Sequence, residues 1–166
     1  AAIAGPNVSA TTFSKFMQVI DGPSNIEMGA VTTGSLGGLK TFNTSVDTPA
    51  YTSTAEVSFT TAGAIPIGGS IRISLPALSG LQQGWFLRTN SVVFSKPATN
   101  TPTVQANTVV IKDGGITVTF AISAHAIPEN TAVVLSINEV TTPTKQVSGD
   151  TATSITTYDS EANIID

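Results

Sequence analysis

His125 is the only histidine in a chain of 166 residues, and it is the natural proton carrier to look for first. A general base needs a nucleophile within reach and an acid that orients it. The stretch Ser123-Ala-His-Ala-Ile-Pro128 supplies neither at a recognisable spacing. A related stretch, Gly63-Ala-Ile-Pro66, does without an imidazole altogether. His125 is therefore read as a loop residue, no catalytic residue is expected, and the chain is not read as an enzyme. Asp150, Asp159, Glu161 and Asp166 gather oxygen ligands of the kind that hold calcium at module junctions. Their spacing fits no EF-hand loop, so they are read with Asp21 and Glu27 as turn and cap residues. No metal and no cofactor are expected. The pairs Gly68-Gly69 and Gly114-Gly115 are followed by no helix carrying Lys-Ser/Thr, so they are strand turns rather than phosphate cradles.

Covalent modification is better represented. Asn7-Val8-Ser9 and Asn43-Thr44-Ser45 are N-glycosylation triplets without proline at the middle position, which makes Asn7 and Asn43 candidate acceptors. The runs Pro97–Thr103 and Thr141–Thr144 are Pro/Thr-rich in the manner of O-glycosylated segments, with Thr101 and Thr103 as candidate sites. Trp85, Phe86 and Tyr158 have the chemistry of a carbohydrate platform, although such residues more often close the end of a core.

Charged residues make up only 11% of the chain, against roughly 25% in ordinary soluble domains. Polarity comes instead from 26 threonines and 17 serines. The seven Lys/Arg residues are scattered singly between Lys15 and Lys145, and the net charge is −4, so no nucleic-acid surface is expected. No apolar run approaches the roughly 20 residues of a membrane-spanning helix. Cysteine is absent, which removes disulfides and thiolate metal sites. The opening Ala-Ala-Ile-Ala lacks a basic region and an apolar core, so a signal peptide is expected to have been removed or to lie upstream.

The elements are organised by an internal repeat. Val57 and Phe59 match Val118 and Phe120 at an offset of 61, while Ala64-Ile65-Pro66 matches Ala126-Ile127-Pro128 at 62. Ile71, Ile73 and Leu75 then match Val133, Leu135 and Ile137, also at 62, so one residue is inserted in the loop. Each copy reads strand, Ala-Ile-Pro loop, strand, with alternate residues apolar, as in a sheet with one buried face. Two such arches or hairpins cover one another as the layers of a sandwich. Further strands are expected near Gly38–Val46, Tyr51–Thr61 with Tyr51, Ala55, Val57 and Phe59 on one face, Ser91–Ser95 and Thr151–Tyr158. A hairpin is expected at Asp113-Gly114-Gly115, and Asn163–Asp166 is read as the start of a linker.

The beginning of the chain repeats its end. Asp21, Asn25 and Ile26 fall on Asp159, Asn163 and Ile164 at a constant offset of 138. Residues 1–27 are therefore read as a segment or strand shared with a preceding module or subunit, and residues 28–166 as the module proper. Phe13, Phe16, Val19 and Ile26 are its expected contact residues with that neighbour.

The pattern Val-Ser-Phe-Thr-Thr, Ala-Ile-Pro-Ile-Gly-Gly, Ile-Arg-Ile-Ser-Leu-Pro, ending in Ser-Ile-Thr-Thr-Tyr-Asp-Ser, resembles the tandem immunoglobulin-like repeats of large extracellular, cell-surface or fibre-forming proteins of protists, algae and some microbes. The likeness covers about residues 33–166 and rests on strand and turn patterns. It implies an all-β, immunoglobulin-like antiparallel sandwich in a secreted, glycosylated, repetitive structural molecule. The partners it implies are copies of itself or adjacent modules of the same chain, together with attached glycans. An adhesin or carbohydrate-binding module, with Trp85 as contact, is the alternative.

Overall fold

The computed structural model describes residues 8–13, 19–26, 32–76, 84–87, 92–112, 115–146 and 153–166, which belong to two units, 1–32 and 33–166. In the first unit, β1 (Val8–Phe13) and β2 (Val19–Ile26) form a two-stranded antiparallel ribbon. Val8 lies opposite Ile26 and Phe13 opposite Val19, with register shifts around Thr12. Phe16 falls outside the described residues.

The second unit is all-β, with no helix among the described residues. One antiparallel sheet has the order β3 (Gly37–Thr44), β4 (Thr52–Thr60), β10 (Ala132–Thr141), and β10 also pairs with the short strands β6 (Phe86–Leu87) and β7 (Val92–Lys96). The other has the order β11 (Ser154–Tyr158), β5 (Ser70–Leu75), β9 (Gly115–Ala124), β8 (Thr103–Lys112). Alternation decides what lies between them. In β9, Ile116, Val118, Phe120 and Ile122 are buried while the residues between them are not, and β4, β5 and β10 behave alike. Both inner faces contribute to a single apolar cluster, which makes the unit a β-sandwich.

The internal repeat resolves into arches rather than hairpins. Each Ala-Ile-Pro connection carries the chain from one sheet to the other, β4 to β5 and β9 to β10. The first strand of each copy then pairs with the second strand of the other. Val57 faces Leu135 and Phe59 faces Val133; their counterparts Val118 and Phe120 face Ile73 and Ile71. The loops meet as well, because the Ile65 N–H donates to the Ile127 carbonyl at 2.8 Å and the Ile127 N–H returns the bond at 2.9 Å. Flanking bonds obey the same two-fold relation. Thr61 N–H donates to Thr131 and Asn130 N–H to Thr61, while Ile122 N–H donates to Gly69 and Gly68 N–H to Ile122. Gly68 (φ 86°) and its counterpart Asn130 (φ 53°) both take the left-handed conformation that the arch turn demands. Gly69 has a further reason to be glycine, since a Cβ there would lie 2.6 Å from the Tyr158 carbonyl.

As the hairpin expectation requires, β8 and β9 pair antiparallel out to Lys112 opposite Gly115; Asp113 and Gly114 lie outside the described residues. Two expectations fail. Tyr51 does not share the buried face of β4 but is 50% exposed. It precedes the strand, where its N–H donates to the Thr142 hydroxyl and its carbonyl accepts the Thr142 N–H. An extra residue in β10 between Ile137 and Val140, with Glu139 at φ 57°, shifts the pairing with β4 between Ala55 and Ser53. Asn163–Asp166 is not a linker: it folds back on the unit, where Ile164 bridges Tyr158 and Ile165 packs against the core.

Candidate functional site

The sandwich has a side on which β3 and β11, the edge strands of the two sheets, run past one another. At one end this seam is closed by the folded-back residues 163–166. Asp159 begins the reversal: its carboxylate accepts the N–H groups of Glu161 and Asn163 and the side-chain amide of Asn163, at 2.8–2.9 Å. Those bonds favour the charged form and hold the Asp159 pKa below the ordinary aspartate value, the Asn163 side chain contributing most. Ile165 N–H then donates to the Thr157 carbonyl at 2.9 Å, and Thr157 N–H donates to the Asp166 carbonyl at 3.0 Å. On the other flank, Gly34 N–H donates to the Ile165 carbonyl at 2.7 Å. Residues 163–166 thus bridge β11 to the chain entering β3.

The Asp166 carboxylate fixes this clasp. It accepts the N–H of Gly63 at 3.1 Å, the N–H of Ala62 at 3.3 Å and the Thr157 hydroxyl at 3.0 Å. Two backbone amides at the first arch are satisfied by one side chain, so the clasp and the arch are joined.

Beyond Thr157 the seam stays open. Between Lys40–Thr44 of β3 and Thr153 with Ser154 and Ile155 at the start of β11 lies a groove of about 820 Å³. Phe42, Trp85 and Ile155 line it and are only partly buried against the core. Phe42 and Trp85 meet edge to face at 5.5 Å between ring centroids, a favourable aromatic geometry. Lys40, Asn43, Asp47, Lys145 and Gln146 add polar groups to the lining, and Pro49, Pro76 and Pro143 further apolar ones. Among the described residues, β3 pairs only with β4, and β11 only with β5 and, at Thr157 and Tyr158, with the clasp residues 164–166. Both walls of the groove are therefore free strand edges.

The residues singled out in the sequence are dispersed. Asn43 is exposed on β3 and lines the groove, whereas Asn7 lies outside the described residues. Thr103 is exposed, with its hydroxyl 2.9 Å from that of Ser123; the half-buried Thr101 donates to the Pro97 carbonyl at 3.2 Å. His125 is exposed in the second arch at φ 56°. Tyr158 does not join Trp85 but meets Arg72, whose guanidinium carbon stands 4.4 Å from the ring centroid and whose Nη1 donates to the phenol oxygen at 2.7 Å. Phe13, Val19 and Ile26 lie on the β1–β2 ribbon. Asp159 and Asp166 do not converge as ligands, because one closes a turn and the other binds arch amides; Asp150 lies outside the described residues. The groove itself was missed in the sequence. None of the residues repeated between the two ends of the chain, Asp21, Asn25 and Ile26 or Asp159, Asn163 and Ile164, lines it.

Compared with protein-family models and with curated proteins, the chain matches none.

Proposed function

We propose that the chain is a structural repeat or subunit of an extracellular, glycosylated filament or cell-surface array, joined to its neighbours by strand complementation or tandem linkage. The observation that carries this is the half-open seam: two free strand edges flank an apolar-floored groove that an added strand would complete. Strand addition takes affinity from backbone hydrogen bonds and register from alternate side chains. It needs none of the catalytic groups whose pattern the sequence lacks, and it suits a chain with 11% charged residues and 43 Thr/Ser hydroxyls.

An immunoglobulin-like fold is part of this proposal. Naming the second unit's strands A onward from β3, with β6 and β7 together as D, the pairs A–B and C–F are those of immunoglobulin sandwiches. The partner of B is the strand after F rather than E, so the likeness is one of architecture.

A second reading has its own support. The groove is of ligand size, and Trp85 stands in it among Asn43, Asp47 and Gln146, a lining suited to a glycan chain. Electron microscopy of the native material, with the mass of the denatured chain, separates the readings. Filaments or arrays are expected, with a chain mass either far above 17.0 kDa, for a tandem polyprotein, or near it plus sugar, for separate subunits. Monodisperse single particles that lose glycan binding on Trp85→Ala, with the fold intact, would replace the filament by the binding module.

A further inference from the structure

We infer that the groove between β3 and β11 is the acceptor site for the β1–β2 ribbon of a second copy of this chain. This rests on the filament reading above and names the two surfaces that meet in it.

Three observations converge. Among the described residues no strand occupies the groove: residues 163–166 bridge the seam at one end, and below Thr157 the edges of β3 and β11 flank a space of about 820 Å³ with Phe42, Trp85 and Ile155 half covered. The ribbon lacks a sheet. It is a two-stranded unit, and an isolated hairpin of that size is marginally stable in water. Among the described residues β1 and β2 pair only with each other, and β3 and β11 leave their groove-side edges unpaired, so ribbon and groove can satisfy each other's backbone groups. Finally, the ribbon carries a repeat of the sequence that forms the clasp. Asp159 and Asn163 form the turn that sends Ile164 back along β11, and their counterparts Asp21, Asn25 and Ile26 sit in β2. The clasp sequence thus occurs twice in the chain, once as the turn that closes the upper seam and once extended in β2, while the lower seam is unfilled among the described residues.

The contact joins different surfaces of successive copies. It is therefore heterologous, and unless the rotation between copies closes into a ring it propagates as a filament.

The chain contains no cysteine, so a cross-linking test has no background. Ser154, which is exposed and lines the groove, is replaced by cysteine in the full-length chain. Each residue of Val19–Ile26 is replaced in turn in the same chain. After mild oxidation at a concentration where the protein assembles, at least one pairing is expected to give a ladder of multiples on a denaturing, non-reducing gel. Ser154→Cys alone is expected to give no species larger than a dimer. Monomers whose two thiols are consumed would show that the ribbon fills its own groove and would overturn the second-copy assignment. Filaments seen by microscopy with no ladder from any pairing would overturn this site while leaving the filament reading standing. Absence of both ladder and assembly at every concentration would overturn both.

Discussion

Ile65 and Ile127 exchange a reciprocal pair of backbone hydrogen bonds at 2.8 and 2.9 Å, and both side chains are fully buried. They are the same residue of the two repeat copies, and they meet where the arches cross between the sheets. The two-fold relation extends outward from them through Thr61 and Ile122 to Gly68 and Asn130. The repeat is thus a packing device, in which each copy supplies the strand partner of the other.

Because their surroundings are equivalent, Ile65→Ala and Ile127→Ala are expected to cost similar amounts, about 2–5 kcal/mol each, the usual cost of truncating a fully buried isoleucine. Urea denaturation of both variants checks this. A cost below about 1 kcal/mol at either position would contradict the equivalence.

Asp166→Ala removes the acceptor shared by Ala62, Gly63 and Thr157. Hydrogen bonds to charged groups contribute about 1.5–3 kcal/mol, and partial exposure of Asp166 places the expected loss at about 1–2 kcal/mol. Hydrogen exchange should accelerate at Ala62 and Gly63 first. Unchanged protection there would mean that the clasp does not hold the arch.

The Asp159 turn predicts an acid transition. Its folded-state pKa is lowered, so the stabilisation from its hydrogen bonds is fully present above the unfolded aspartate value and lost as pH falls through the folded one. At neutral pH the turn should therefore be insensitive to pH. NMR titration of the Asp159 carboxyl should show the depressed value move up towards the ordinary range in Asn163→Ala, whose side chain is its largest cause. An unmoved titration would contradict that cause.

Asn43 links modification to assembly. It is exposed on β3, opposite Glu56, and lines the groove, so a glycan there and a strand in the lower seam compete for one space. Peptide mapping of assembled material should find Asn43 unmodified, with sugar confined to positions outside the groove. A fully occupied Asn43 within filaments would rule out the groove as their junction.

Much of this was legible in local sequence. The period-two pattern marks β4, β5, β9 and β10, and the Asp-Gly dipeptide marks the β8–β9 hairpin. The offsets 61 and 62 identify equivalent residues, but equivalence does not say whether a strand pairs within its copy or across copies. The crossing at Ile65 and Ile127 settles that. The clasp was hidden for another reason: Asn163–Asp166 is short and polar-flanked, and its order comes from Asp166 reaching amides about 100 residues earlier. Tyr51 departs from the alternation because β4 begins one residue later, at Thr52. The groove depends on two edges that meet only in the folded unit, so no local pattern marks it.

Hydrogen exchange compared between assembled and dissociated full-length protein tests the central claim most directly. If neighbours join by strand addition at the open seam, amides on the free edges of Lys40–Thr44 and Thr153–Ile155 gain protection on assembly, while those of Thr157 and Ile165, already bonded in the clasp, change little. Assembly with no gain of protection in either groove segment would contradict the claim.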